Sequence, residues 1–415
     1  MTHTVGIVGC GFIVNKAHVP SLAKSTNGYV KGFYDIKKDS AEAMKDTYLK
    51  LLTKTKHPLL SEAQANTKVY DDLDEMIKDV DIVDIAVPPK YHLEITRKAF
   101  NNGKHVICEK PLCRTWWEAK QNEDLVKIAK EKKLVFLMHT QGMFNPLIMT
   151  GQGLLHDQKI IGNITKIRTL HQGADPKWTV ALASLWDKEH SGGGALMDIG
   201  PHAFAGMWYW LNGAKVTSVK SEKIEHVIPE RKIAGELTKV KVDDDAHITI
   251  NWEDASGNKI VGELEATWDK KDWYEGKVGS SLAPDLYYEV HGTDGIFSFP
   301  QVKPIPPTVF FKITRQDGSI EKKNFKPPPG GYEEVVFFDE IFHNIDGKVK
   351  PRNDLEYAID MMKVFGAAYL SEKNGRKEVT IDEFTKHCEG IAKGSDDAEK
   401  QALDIISDLI APLEK

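Results

Sequence analysis

Near the amino end, Val5-Gly6-Ile7-Val8-Gly9-Cys10-Gly11-Phe12-Ile13-Val14 runs a short apolar segment straight into a glycine turn. Glycines at Gly9 and Gly11 permit a tight turn and let the first N–H groups of a following helix, here from Phe12 and Ile13, approach a phosphate. These are the first two positions of a dinucleotide fingerprint; Val14 stands at the third and implies looser packing of helix on strand. Two glycines alone read equally well as a plain turn. The next apolar run, Val30 to Asp35, ends in an acid at the spacing where a carboxylate meets ribose hydroxyls. Such a carboxylate repels a 2′-phosphate, so NAD is the expected cofactor. Lys37 and Lys38, otherwise solvated loop charges, keep NADP use open.

Outward from this turn, residues 1–140 alternate apolar runs with amphipathic stretches, the pattern of a parallel sheet built from βαβ units. Strands are expected at Val5–Gly9, Val30–Asp35, Ile82–Val87, His105–Cys108 and Val135–Met138. Helices are expected at Tyr91–Asn102, capped by Gly103, and at Thr115–Lys132. From Ile164 the pattern becomes longer alternating strands, at Ile164–Gln172, Val216–Ile228, Ala246–Trp252, Lys259–Trp268, Leu286–Val290 and Thr308–Thr314, with turn signals such as Asp294-Gly295 and Asp317-Gly318. This predicts a largely antiparallel sheet. Apolar residues at helical spacing then give two helices, one through Val335, Phe338, Phe342 and Ile345, the other through Leu355, Ile359, Met362 and Phe365. The fold class is therefore α/β, with a Rossmann dinucleotide-binding domain over 1–140, an α/β substrate and oligomerisation domain over 141–381, and a helical extension over 382–415 carrying Ala398, Ala402, Ile405 and Leu409 on one face.

Composition removes several classes. The 415 residues carry a net charge of −6, so no basic surface exists to attract nucleic acid. No apolar run approaches the roughly 18 residues that span a bilayer, and no signal sequence precedes Val5, so a cytoplasmic protein is expected. Cys10, Cys108, Cys113 and Cys388 are too few and scattered for a disulfide framework or zinc site; free buried thiols, and no metal, are expected.

Two strand ends carry further chemistry. Pro88-Pro89-Lys90-Tyr91-His92 follows one, and Glu109-Lys110-Pro111 follows the next, where loops overhang a dinucleotide in an open α/β sheet. Lys110 at such an edge can polarise a substrate oxygen or stabilise an alkoxide. His92 either starts the next helix or touches the cofactor. Farther on, Ser191-Gly192-Gly193-Gly194-Ala195-Leu196-Met197-Asp198-Ile199-Gly200-Pro201-His202 combines glycines that allow close backbone approach to a ligand with an Asp and a His four residues apart, on one face if helical. Histidine, with an unperturbed pKa of about 6.5, can take a hydroxyl proton while a neighbouring carboxylate orients it; the same pair also serves structure alone. His171, Gln172, Lys177, Trp178 and Trp186 are candidate sugar contacts, with core packing the alternative for each Trp.

Taken in this order, Gly9 to Gly11, Asp35, Pro88 to His92, Glu109-Lys110-Pro111 and Asp198 to His202 resemble the glucose–fructose oxidoreductase, inositol dehydrogenase and MocA family. Val242-Asp243-Asp244-Asp245-Ala246 and His291-Gly292-Thr293-Asp294-Gly295 echo it, so the resemblance covers about residues 4 to 380. It implies a Rossmann domain joined to an α/β domain whose open sheet mediates homo-oligomerisation as a dimer or tetramer. It also implies that Lys110, Asp198 and His202 match the catalytic residues of an NAD(P)-dependent sugar or polyol dehydrogenase. Departures are Val14, an enlarged segment from Thr53 to Asn66, and the extension after Ile381. Two rivals remain on the same motifs: a glycosidase or lyase that oxidises its sugar transiently with tightly held NAD, and a non-enzymatic dinucleotide sensor.

Overall fold

The computed structural model describes residues 2–172, 187–227, 230–233, 235–268, 286–301, 309–325 and 332–414. Contacts gather the chain into two compact units: Met1–Cys113, Ala119–Phe144 and Pro329–Ile359 form the first; Arg114–Glu118, Asn145–Pro328 and Asp360–Lys415 form the second.

The first unit is built on six parallel strands, β1 (His3–Val8), β2 (Gly28–Tyr34), β3 (Lys68–Val69), β4 (Ile82–Ile85), β5 (His105–Cys108) and β6 (Phe136–Met138), in the order β3-β2-β1-β4-β5-β6. Sheet order reverses at β1, the switch point where such sheets take ligands at their carboxyl edge. Val5, Ile7, Ile82, Val83, Ile85, Val106, Ile107 and Leu137 are wholly buried, which explains why these strands read as continuous apolar runs. Each such side chain contributes about 1.5–3 kcal/mol. Gly103 adopts the positive φ expected of a helix end. The helix expected over Thr115–Lys132 is two, Trp116–Gln121 and Asp124–Lys132. The enlarged segment continues the helix Lys38–Thr55 and adds a short helix, Leu60–Asn66. The helix Tyr332–Ile345 belongs to this unit, although it follows the second sheet in sequence.

The second unit holds a nine-stranded sheet formed by β7 (Ile164–Gln172), β8 (Lys215–Glu225), β11 (Asp245–Glu253), β12 (Lys259–Thr267), β13 (Leu286–Gly292), β14 (Gly295–Gln301), β15 (Val309–Arg315), β16 (Ile320–Phe325) and β17 (Val379–Thr380), plus a separate hairpin of β9 (Glu230–Ile233) and β10 (Glu236–Lys239). Its order is β16-β15-β14-β13-β7-β12-β11-β8-β17, and β7 with β12 is its parallel pair. The mostly antiparallel character expected from the sequence holds; β9, β10, β14, β16 and β17 were not legible there. The extension forms two helices, Ile381–Ala392 and Ala398–Ile410, and docks within its own unit. Arg114, barely exposed, bonds Glu118 and Glu399, while the Trp117 indole donates to Gln401.

The glycine-rich loop is fixed from below by Asp243. Its Oδ1 accepts the Gly194 N–H and the Tyr369 hydroxyl, its Oδ2 accepts the Leu196 N–H, and its carbonyl accepts the Ala195 N–H. The glycines permit close backbone packing: a Cβ at Gly194 would fall 1.8 Å from the Asp243 carbonyl oxygen, and one at Gly192 1.8 Å from that of Arg114. Burial raises the Asp243 pKa against the lowering effect of its donors. Asp243→Ala strands buried donors and should lower stability by about 3 kcal/mol or more, read as a shifted urea midpoint; an unchanged midpoint would show that the loop does not depend on this carboxylate.

Candidate active site

In the first unit, the chain leaves β1 through Gly9 at φ +89, where a Cβ would lie 2.5 Å from the Ala86 carbonyl oxygen. Gly9 is thus required by the fold. Gly11 is not: a Cβ there would meet no protein atom within 4 Å. The chain is helical from Phe12, with Val14–His18 wound as a π-helix and Val14 fully buried. Because π turns interrupt α-helices mainly at functional sites, the departure at the third glycine coincides with a change of helical winding. Asp35 lies just past β2; its Oδ2 accepts the Cys10 N–H at 2.7 Å and its Oδ1 the Lys37 N–H at 2.7 Å. A carboxylate has about four acceptor sites, so ribose hydroxyls can still be received. Phe12 is exposed, beneath the Lys16 ammonium.

His92 lies between the loops after β4 and β5. It is fully buried, with Nε2 2.7 Å from the Val87 carbonyl and Nδ1 2.9 Å from that of Pro111. Burial pushes its pKa below the usual value. Lys110 precedes Pro111 across a cis peptide bond, and its backbone N–H donates to Glu109 Oε2 at 3.0 Å. Pro88 introduces the single 3₁₀ turn Pro89–Tyr91.

Glu109 is nearly buried, and its Oε1 lies 3.0 Å from His18 Nε2 and 2.5 Å from His139 Nδ1. The far nitrogens of both imidazoles meet carboxylates, His18 Nδ1 at Asp84 (2.8 Å) and His139 Nε2 at Glu334 (2.9 Å). Sequence reading, which expected no metal, missed His18 and His139. Together with Glu109 they are the described residues whose donor atoms gather closely enough to suggest one ion. Two ligands bound at about 2.0–2.2 Å in tetrahedral array lie about 3.3 Å apart. The 2.5 Å contact is therefore a hydrogen bond.

In the second unit, Asp198 and His202 do not share one helix. Asp198 ends Ala195–Asp198 and His202 lies in Gly200–Leu211, with Ile199 intervening and Pro201, which has no N–H to give, in the first turn of the second helix. Both are half-buried. The Trp268 indole N–H donates to Asp198 Oδ2 at 3.0 Å, and the His171 ring, near the end of β7, stacks on that of His202 with centroids 5.1 Å apart. Trp268, buried after β12, was read only as a strand end. Gln172 is buried beside the same strand end. Lys177, Trp178 and Trp186 lie outside the described residues. All four cysteines are free and buried, and among the described residues no helix is long and apolar enough to cross a membrane.

A six-stranded parallel sheet with this turn defines a dinucleotide-binding Rossmann domain, and residues 3–140 match the oxidoreductase family with an NAD-binding Rossmann fold. Residues 154–298 match the GFO/IDH/MocA C-terminal domain, so the chain belongs to the glucose–fructose oxidoreductase, inositol dehydrogenase and MocA family. Among curated relatives, levoglucosan dehydrogenase of Pseudarthrobacter phenanthrenivorans is 31% identical over 53% of this chain and 55% of its own length. D-glucoside 3-dehydrogenase of Escherichia coli is 26% identical over 54% and 58%, and an oxidoreductase of Schizosaccharomyces pombe is 32% identical over 33% and 36%. The chain thus matches about a third to three fifths of these relatives. The structure of levoglucosan dehydrogenase with NADH and levoglucosan shares the fold, with a TM-score of 0.71 at 21% identity, covering 92% of this chain and 100% of that one.

Removing the Asp35 carboxylate strands the Cys10 and Lys37 N–H groups and takes away the acceptor expected for ribose hydroxyls. Asp35→Ala should weaken NAD binding about tenfold or more, measured by calorimetric titration; unchanged affinity would exclude Asp35 from the cofactor site.

Proposed function

We propose that this protein is an NAD-dependent dehydrogenase acting on a secondary alcohol of a sugar, polyol or inositol-like substrate. The observation that carries the proposal is Gly11: neither packing nor a positive φ demands glycine there, whereas a pyrophosphate resting on the helix start at Phe12 and Ile13 does. Gly9, Gly11, Phe12, Ile13, Asp35 and Pro88 bind the dinucleotide, and His92 and Glu109 act on it through the loops they hold. NAD, when bound, accepts the hydride. The relatives named as sugar dehydrogenases support the substrate class.

In this reading His202 takes the hydroxyl proton, Asp198 orients it, and Lys110 stabilises the developing oxyanion. The Trp268 bond to Asp198 and the His171 stack on His202 favour roles for both residues in holding that geometry. His171, Gln172, Lys177, Trp178 and Trp186 form the substrate-binding set. Residues 1–140 serve the cofactor, 141–381 the substrate and a homodimer or homotetramer made through the open sheet, and 382–415 are an extension; the protein acts in the cytoplasm without nucleic acid or membrane partners.

Lys110→Met and His202→Ala should each lower kcat by about 10² or more; near-normal turnover in either removes that residue from the set. A panel of sugars and polyols with NAD, followed by NADH absorbance, tests the activity. Steady NADH formation supports it, glycoside cleavage without NADH replaces it with the hydrolase, and cofactor binding with neither reaction replaces it with a sensor. Efficiency with NADP should fall well below that with NAD; equal or greater kcat/KM with NADP would overturn the cofactor preference.

A further inference from the structure

The first unit contains a row of five ionisable groups, Asp84, His18, Glu109, His139 and Glu334, each within hydrogen-bond distance of the next and all buried except the partly exposed Glu334. They come from five places: the strand β4, the helix after the glycine turn, the ends of β5 and β6, and the helix Tyr332–Ile345. His18 is wholly buried and His139 is 2% exposed. Burying ionisable groups is costly unless they are paired, so a row assembled from such distant segments calls for a purpose.

Each imidazole has a carboxylate at both ring nitrogens. A neutral imidazole donates from one nitrogen only, and its other nitrogen would face an anionic oxygen lone pair to lone pair. With its neighbouring carboxylates ionised, only the doubly protonated ring satisfies both of them. At the centre of the row stands the carboxylate whose other oxygen, Glu109 Oε2, receives the Lys110 backbone N–H. We propose that His18 and His139 are positioning residues: as imidazolium cations they clamp Glu109 from two sides, and through it hold the Lys110 backbone in one geometry at the end of β5. The proposal rests on the reading of Lys110 as catalytic.

The charged groups facing the two rings agree. Despite burial, the carboxylates raise His18 to about 9, with Asp84 the larger partner, and His139 to about 10 through Glu109 and Glu334; the repulsion between the rings works against this. Burial would raise Glu109, but the two rings hold it well below the ordinary carboxylate value. Phe337 and Phe338 pack against His139, and Phe338 also packs against His18, adding no charge. Because both histidine values rise on folding, their stabilisation is complete below an unfolded pKa of about 6.5, decays as pH rises from there, and is gone above about 10. The Glu109 contribution has the opposite sign, present above its unfolded value and lost as pH falls through the folded one. At pH 8 an ordinary histidine is neutral while these two are charged.

The test combines spectroscopy with kinetics on the full-length protein. In ¹⁵N-histidine spectra at pH 8, two rings should show both nitrogens protonated, one signal vanishing in His18→Gln and the other in His139→Gln. Both variants should lower kcat about tenfold or more while NAD affinity stays within about threefold, as expected when a reacting group is misplaced. Neutral rings at both positions in the wild-type protein overturn the proposal without need of a variant that folds. Undiminished kcat in both variants, with kcat abolished in Lys110→Met, overturns the positioning role and leaves the catalytic lysine standing. Undiminished kcat in Lys110→Met overturns the reading beneath it. A stoichiometric divalent ion, found by elemental analysis and lost in His139→Gln, would replace the clamp with a metal centre.

Discussion

One buried carboxylate, Glu109, organises the carboxyl edge of the parallel sheet. Its two oxygens have separate employment: one receives two imidazoles, the other the amide of the next residue. The partners lie 91 and 30 residues away in sequence for the imidazoles and one residue away for the amide. A single side chain therefore converts long-range packing into the local conformation of a loop. Had the partners been apolar, burial of Glu109 would have been unaffordable at neutral pH, and a protonated acid would grip far more weakly.

Asp243 plays the corresponding part in the second unit, where an acid on the approach to β11 collects three backbone N–H groups of a glycine-rich loop, two on its carboxylate and one on its carbonyl. Both devices fix the backbone of a loop on a buried acid. The glycines of that loop also let protein backbone approach closely, because a Cβ at Gly192 would overlap the Arg114 carbonyl oxygen and one at Gly194 that of Asp243.

What could be read from the sequence follows from range. Apolar runs marked β1, β2, β4, β5 and β6 within a residue or two, since a strand buried on both faces needs apolar residues throughout. Gly103 was legible because its positive φ is set by the helix end beside it. The short β3 and the strands β14 and β16 carried too little alternation to declare themselves. The helix break before His202 was announced by Pro201 and overlooked in favour of the four-residue spacing. His18, His139 and Glu334 had no local signature at all: each is an isolated residue whose significance exists only once distant segments meet.

The pairing of β7 with β12 has a consequence for how the second unit comes into being. Residue 166 must find residue 261 before the middle of the sheet exists, and no hairpin can bring them together because the two strands run the same way. The segments on either side can form early as local antiparallel ribbons, β11 with β12 and β13 with β14, but each then waits with an unsatisfied edge for β7 to fill the gap. Closing so long a loop delays assembly relative to a sheet of neighbours. During that wait two sticky ribbon edges are exposed to other chains, so this protein's yield on refolding should be governed by concentration as much as by its final stability.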